Sequence, residues 1–200
     1  MRSDTIRVTT SGEGTQEAAA QVMAIAEVKG LSPKAQLRLK LLAEEMLGML
    51  QGLTGEVEAD FYIEEEDNNY TLHLSTDTEM YAAKRRRLMD ASTSNRNAAA
   101  VGLTGKLRSL FESLLEPRDA QSAPVSSLSL FGALGNPTSQ GTSMWSLSEY
   151  REQVKEGEDT AESWDELERS IIANIADDIS VGIRGDLVEM TVSKRFGTGG

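Results

Sequence analysis

The sequence predicts an α/β protein of the α+β kind. The expected form is a two-layer sandwich, with a mostly antiparallel sheet carrying helices on one face. Three observations carry that expectation. Segments of period-two alternation come in pairs joined by short turns, helical segments come in blocks, and no internal repeat runs along the chain.

The elements follow in order. "TIRVTT" at 5–10 alternates Ile6 and Val8 with polar residues and reads as a half-buried strand, and "SGEG" ends it. From Thr15 to Lys29, Ala18, Val22 and Ile25 fall at helical spacing, with Thr15 as the expected N-cap. Gly30 followed by Leu31 reads as a C-terminal stop. A second helix opens on Ser32 as N-cap and Pro33 in the first helical position, and Gly52 or Gly55 ends it. "EVEADFYIEE" then puts Val57, Ala59, Phe61 and Ile63 on one strand face, and "NNYTLHLST" does the same with Tyr70, Leu72 and Leu74. The "EDNN" between them reads as a hairpin turn.

Further on, 79–91 predicts a short helix with a basic run. Asn97 is placed to cap another helix that reaches about Glu116, where Pro117 stops it. Residues 117–148 are rich in Ser, Gly and Pro without a sustained period, and the charged stretch after them reads as an exposed helix or linker. A helical pattern returns from Trp164 through Leu167, Ile171, Ile172 and Ile175, followed by two alternating strands about "RGD" at 184–186. The expected organisation is one domain formed by 1–116 and 161–196. It is interrupted by a flexible, lid-like insertion at 117–160 and followed by a disordered tail at 197–200.

The totals bound the chemistry. The chain has 200 residues, enough to bury a core without staples, and no cysteine, which removes disulfides and thiolate metal sites. A net charge of −12 repels phosphate backbones, so nucleic acid is not an expected partner. The N-terminal stretch has no apolar leader region, and no run approaches the ~20 apolar residues of a membrane span. The expectation is a cytoplasmic protein with no membrane partner.

The stretch with most to say is "LRLKLLAEEMLGML", residues 37–50. At ~100° per residue, Ala35, Leu39, Leu42, Ala43, Met46, Leu47, Met49 and Leu50 gather on one face. Glu44 falls opposite and reads as a solvated acid. Glu45 lies at the margin of the apolar face, where an acid can border a cleft and be partly desolvated toward general-base use, or simply sit on the rim.

"GLSPKAQLRLKLLAEEMLGML" resembles the N-box helix of the GHKL (histidine-kinase-like) ATPases, most of all the anti-sigma-factor serine-kinase branch with its "L-E-E-x-x-x-N" pattern. The opening strand-helix-"GL"-helix order and the closing hairpin are similar too, so that the resemblance covers roughly 5–76 and 162–196. It implies a Bergerat, or histidine-kinase-like ATPase, fold. It puts the family's catalytic acid on Glu45 and its magnesium-binding asparagine on Met49. Mg²⁺ takes hard oxygen ligands, which a thioether does not supply. The adenine-reading aspartate falls on Thr76, or on Asp77 if the register slips by one, and the usual glycines do not follow it. The family's later glycines correspond to Gly102 and Gly105, with Asn97 and nearby hydroxyls as further nucleotide-binding candidates.

The resemblance therefore implies a degenerate, regulatory member that binds another protein without efficient ATP hydrolysis. Two alternatives stay open: an active ATP-dependent serine kinase of the anti-sigma-factor type, and a module that holds a nucleotide without turnover. ATP is the only cofactor in question, and the family's habit of pairing leaves a homodimer open.

Other features read more plainly. Gly102 and Gly105 each cost about 1 kcal/mol in a helix relative to Ala, offset by close helix packing or by approach to a phosphate. "GLTGK" lacks the four-residue gap and preceding strand of a Walker motif. Lys84 to Arg87 read as a solvated basic face, as partners for the chain's own acids, or as a grip for phosphate or an acidic partner. His73, the single histidine, shares a strand face with Thr71 and Ser75 and has neither cysteines for a zinc site nor a nucleophile elbow for a triad.

Overall fold

A computed structural model describes residues 1–53, 55–77, 102–115, 144–156, 170–184 and 186–197. The short helix and basic run expected at 79–91, the cap at Asn97 and the Ser-rich stretch from 117 to 143 lie outside the described residues.

Among the described residues six strands form a single sheet. They are β1 (Ile6–Thr9), β2 (Glu58–Glu66), β3 (Asn69–Asp77), β4 (Met144–Ser146), β5 (Asp178–Arg184) and β6 (Leu187–Arg195). Their order is β1-β2-β3-β6-β5-β4, and every neighbouring pair is antiparallel. The helices are α1 (Thr15–Val28), α2 (Pro33–Gln51), α3 (Gly102–Leu115), α4 (Leu147–Glu156) and α5 (Ile171–Ile175). The architecture is thus α+β, with an antiparallel sheet and a helical layer. Among the described residues no helix is long and apolar enough to cross a membrane.

Period-two patterning decides which sheet face is covered. Ala59, Phe61 and Ile63 of β2, Tyr70, Leu72 and Leu74 of β3, Ile179 and Val181 of β5, and Val188, Met190 and Val192 of β6 are all buried. Buried residues of α1, α2 and α3 join them in one core, including Val22, Leu39, Leu42, Met46, Leu107 and Phe111. The other face stays half exposed and polar. There His73 stacks on Tyr62 with ring centroids 4.4 Å apart, and the Arg2 guanidinium lies 3.9 Å from the Tyr62 centroid.

The local punctuation has mechanical causes. The β2–β3 turn places Asp67 and Asn68 at positive φ (50° and 61°), the left-handed pair that a two-residue hairpin demands. Ser32 caps α2 by accepting from the Ala35 N–H, with Pro33 just inside the helix. The stop after α1 is also as expected: Gly30 sits at φ 68° and the Leu31 N–H reaches back to the Ala26 carbonyl. The start of α1 differs from expectation. Gly14, at φ 74°, occupies the N-cap and Thr15 is the first helical residue, with its hydroxyl donating to the Gly12 carbonyl at 2.7 Å. A Cβ at Gly14 would collide with the Arg7 carbonyl oxygen, so close approach to β1 selects glycine over a side-chain cap.

Two further differences concern the second half. The helical pattern from Trp164 does not run on unbroken to Ile175, because Ser170 is extended (φ −81°, ψ 117°) and caps the separate α5. Residues 144–156, expected to lie in the insertion, supply β4 on the sheet edge and α4 after it. Trp145, Leu147 and Tyr150 are buried there, and Asp178 accepts from the Ser148 N–H at 3.0 Å. That stretch is too short and too polar for its period to have stood out; its burial comes from pairing with β5.

Candidate functional site

Helix α2 lies against both α1 and α3, and its inward residues are those the helical spacing selects: Ala35, Leu39, Leu42, Ala43, Met46, Leu47, Met49 and Leu50. Glu44 is exposed and, among the described residues, makes only an i,i+4 pair with Lys40 at 3.5 Å. Glu45 is half-buried, and its carboxylate accepts a hydrogen bond from the Thr104 hydroxyl at 2.9 Å. Thr104 stands between Gly102 and Gly105 in the first turn of α3 as described, and Gly105 is buried. Residues 59 positions apart thus meet where the sequence placed its acid and its glycines.

Met49 does not border that contact as an open ligand position. It is 3% exposed and belongs to the core cluster. Its thioether packs among apolar groups, which is what a flexible sulfur side chain does well.

The described contacts place the remaining candidates as follows. Thr76 is buried near the end of β3, and its hydroxyl donates to the Glu58 main-chain carbonyl at 2.6 Å, a bond made across the sheet. Asp77 is the last residue of β3, half-buried and paired in register with Leu187 of β6. Asn97 lies outside the described residues. Thr104 was not singled out from sequence; the signal was there, a hydroxyl framed by two glycines.

The electrostatics elsewhere are structural in character. Glu65 of β2 is buried and ion-paired with Lys29. The lysine holds its carboxyl below the ordinary glutamate value, against the opposing effect of burial and with help from the Asn68 N–H. Burial acts on Asp177 too, but the Arg195 N–H and the Lys194 ammonium, each 2.6 Å from its carboxylate, outweigh it and hold its pKa down. Burial pushes the Tyr70 phenol up, with the Glu65 charge adding to it, and its hydroxyl is buried without a hydrogen-bond partner among the described residues. His73 is flanked by Glu189 on Nδ1 at 3.1 Å and Glu64 on Nε2 at 3.5 Å, the latter too poorly aligned for a hydrogen bond. The two acids address opposite ring nitrogens, so they do not converge on one point. Among the described residues no group of three or more His, Asp or Glu is arranged to hold a metal.

No family model matches the chain, and no curated protein and no solved structure matches it either.

Proposed function

We propose that this chain is a degenerate histidine-kinase-like ATPase domain that acts as a regulatory, protein-binding module without efficient ATP hydrolysis. The observation that carries the reading is at Met49: the position where the family resemblance expects a magnesium ligand holds a thioether sunk in the core. The residues present there do not fit Mg²⁺, which takes oxygen ligands at close range. Phosphoryl transfer depends on neutralising triphosphate charge, and without a metal that aid is missing.

Two further observations support the finer fold. The opening strand β1 and the closing hairpin β5–β6 belong to one sheet, and α1 and α2 both contribute to the core beneath it. Thr104 of α3, framed by Gly102 and Gly105, donates to the Glu45 carboxylate of α2. This second contact also favours the alternative of a module that holds a nucleotide without turning it over.

Titration of the full chain with ATP, with and without Mg²⁺, tests the proposal by calorimetry and thermal shift. The expected result is no magnesium-dependent heat or melting shift at millimolar ATP. A shift that is the same in EDTA, without hydrolysis, supports the nucleotide-holding reading. Magnesium-dependent binding with release of ADP, or phosphorylation of serine on a partner protein, overturns the proposal.

A further inference from the structure

At the other end of α2 is a hollow of about 460 Å³, walled by residues 29–38, the β2–β3 turn and the end of β6. Among the described residues Lys29, Lys34 and Arg38 line it and no acid does, although acids outnumber bases 32 to 20 in the chain. Lys29 is already neutralised by Glu65. Lys34 and Arg38 are exposed and have no ion-pair or hydrogen-bond partner among the described residues. Nor do they serve the helix. The first turn of α2 contains no acid, and a lysine there opposes the helix macrodipole, which favours negative charge at an N-terminus. Two uncompensated cations and the positive helix end therefore face one concavity.

The rest of the wall is suited to a small organic body. Leu31 and Phe196 give it apolar surface, and Asn68 also lines it. The closing strand is tied down at this point by the Phe196 N–H, which donates to the Asn68 carbonyl at 3.0 Å. Behind Phe196, edge-on at 5.6 Å between centroids, lies the ring of Tyr70. The volume lies within the ~300–1,000 Å³ usual for small-molecule sites.

We propose that this hollow binds a phosphomonoester: a dianionic phosphoryl group held by Lys34, Arg38 and the start of α2, with its organic part against Leu31 and Phe196. Two unpaired cations match a dianion, and Arg presents paired N–H donors to phosphoryl oxygens. The site rests on the 29–38 segment and not on Glu45, which is about 16 Å further along the helix from Lys34 at 1.5 Å per residue. ATP's own terminal phosphoryl group suits this hollow too, so the ATP titration is repeated on the Lys34→Gln/Arg38→Gln double variant, where any remaining shift belongs to the proposed nucleotide site and not to the hollow.

The test uses the full chain with inorganic phosphate and phenyl phosphate, at ionic strength fixed with chloride. Wild type is expected to show a saturable melting shift with both, and tighter binding of phenyl phosphate. The Lys34→Gln/Arg38→Gln double variant is expected to melt as wild type does without phosphate and to bind at least tenfold more weakly. Lys40→Gln, which removes a cation from the same helix away from the hollow, should bind as wild type does. The proposal is overturned if phosphate stabilises no more than chloride, if the double variant binds as tightly as wild type, or if Lys40→Gln weakens binding as much. Phenyl phosphate binding no tighter than inorganic phosphate overturns the place assigned to the organic part. Co-sedimentation with phosphatidic acid vesicles, lost in the double variant while free phosphate gives no shift, overturns it in favour of a lipid surface.

Discussion

The two ends of helix α2 differ in how far their polar groups are already satisfied. At the C-terminal end Glu45 accepts from Thr104, Glu44 pairs with Lys40, and Met49 is packed in the core. At the N-terminal end Ser32 caps the helix, but Lys34 and Arg38 face a hollow with no acid among the described residues to neutralise them. The C-terminal end has its groups committed internally, and the N-terminal end has charge to spare among the described residues. Unspent charge beside a concavity is a better guide to a ligand than polar groups already paired within the fold.

Substitutions along the helix sharpen that contrast. Leu42→Ala, at a fully buried position beneath the middle of α2, should cost about 2–5 kcal/mol in urea unfolding. Met49→Asn should cost about 1–3 kcal/mol, because the new amide would enter the core without assured partners. A Met49→Asn protein as stable as wild type would mean that a polar cleft reaches this position, which would break the contrast. Thr104→Val should cost about 1 kcal/mol, since it leaves a half-buried carboxylate without its donor. Ser32→Ala should cost about 0.5–1 kcal/mol, the low end for a cap, because the bond from the Ala35 N–H is long at 3.4 Å.

The Lys29–Glu65 pair sets a pH dependence near the hollow. Glu65 has its pKa depressed in the folded state, so its contribution is fully present above the ordinary glutamate value and is lost as pH falls through the lower folded value. Lys29→Met should therefore flatten the acid side of the stability–pH profile, measured by urea midpoints from neutral pH downward. An unchanged acid limb would show that the pair contributes nothing. Asp177 shifts in the same direction and supplies a background that Asp177→Asn removes.

Much of the fold was legible because its signals are local. The buried face of α2 was readable residue by residue, since a fixed rotation per residue turns sequence spacing into direction. The cap at Ser32, the stop at Gly30 and the turn at Asp67–Asn68 follow from the backbone needs of one or two residues. Where a distant chain segment intruded, local reading gave way. Gly14 displaced Thr15 as cap because the Arg7 carbonyl lies against it, and 144–146 joined the sheet because β5 offered an edge. The site divides in the same manner. Glu45 was legible as a margin residue, whereas its bond to Thr104 depends on how α3 crosses α2.

By itself, then, the sequence determined the alternation of the strands, the apolar face of each strongly periodic helix, and the net charge that disfavours nucleic acid. Only the tertiary structure decided that β3 lies beside β6, that Lys29 neutralises Glu65, and that Lys34 and Arg38 share a hollow with Phe196. The physical reason is range. Dihedral preference and side-chain period act over a few residues, while charge pairing and concavity arise between segments brought together by burying one common core.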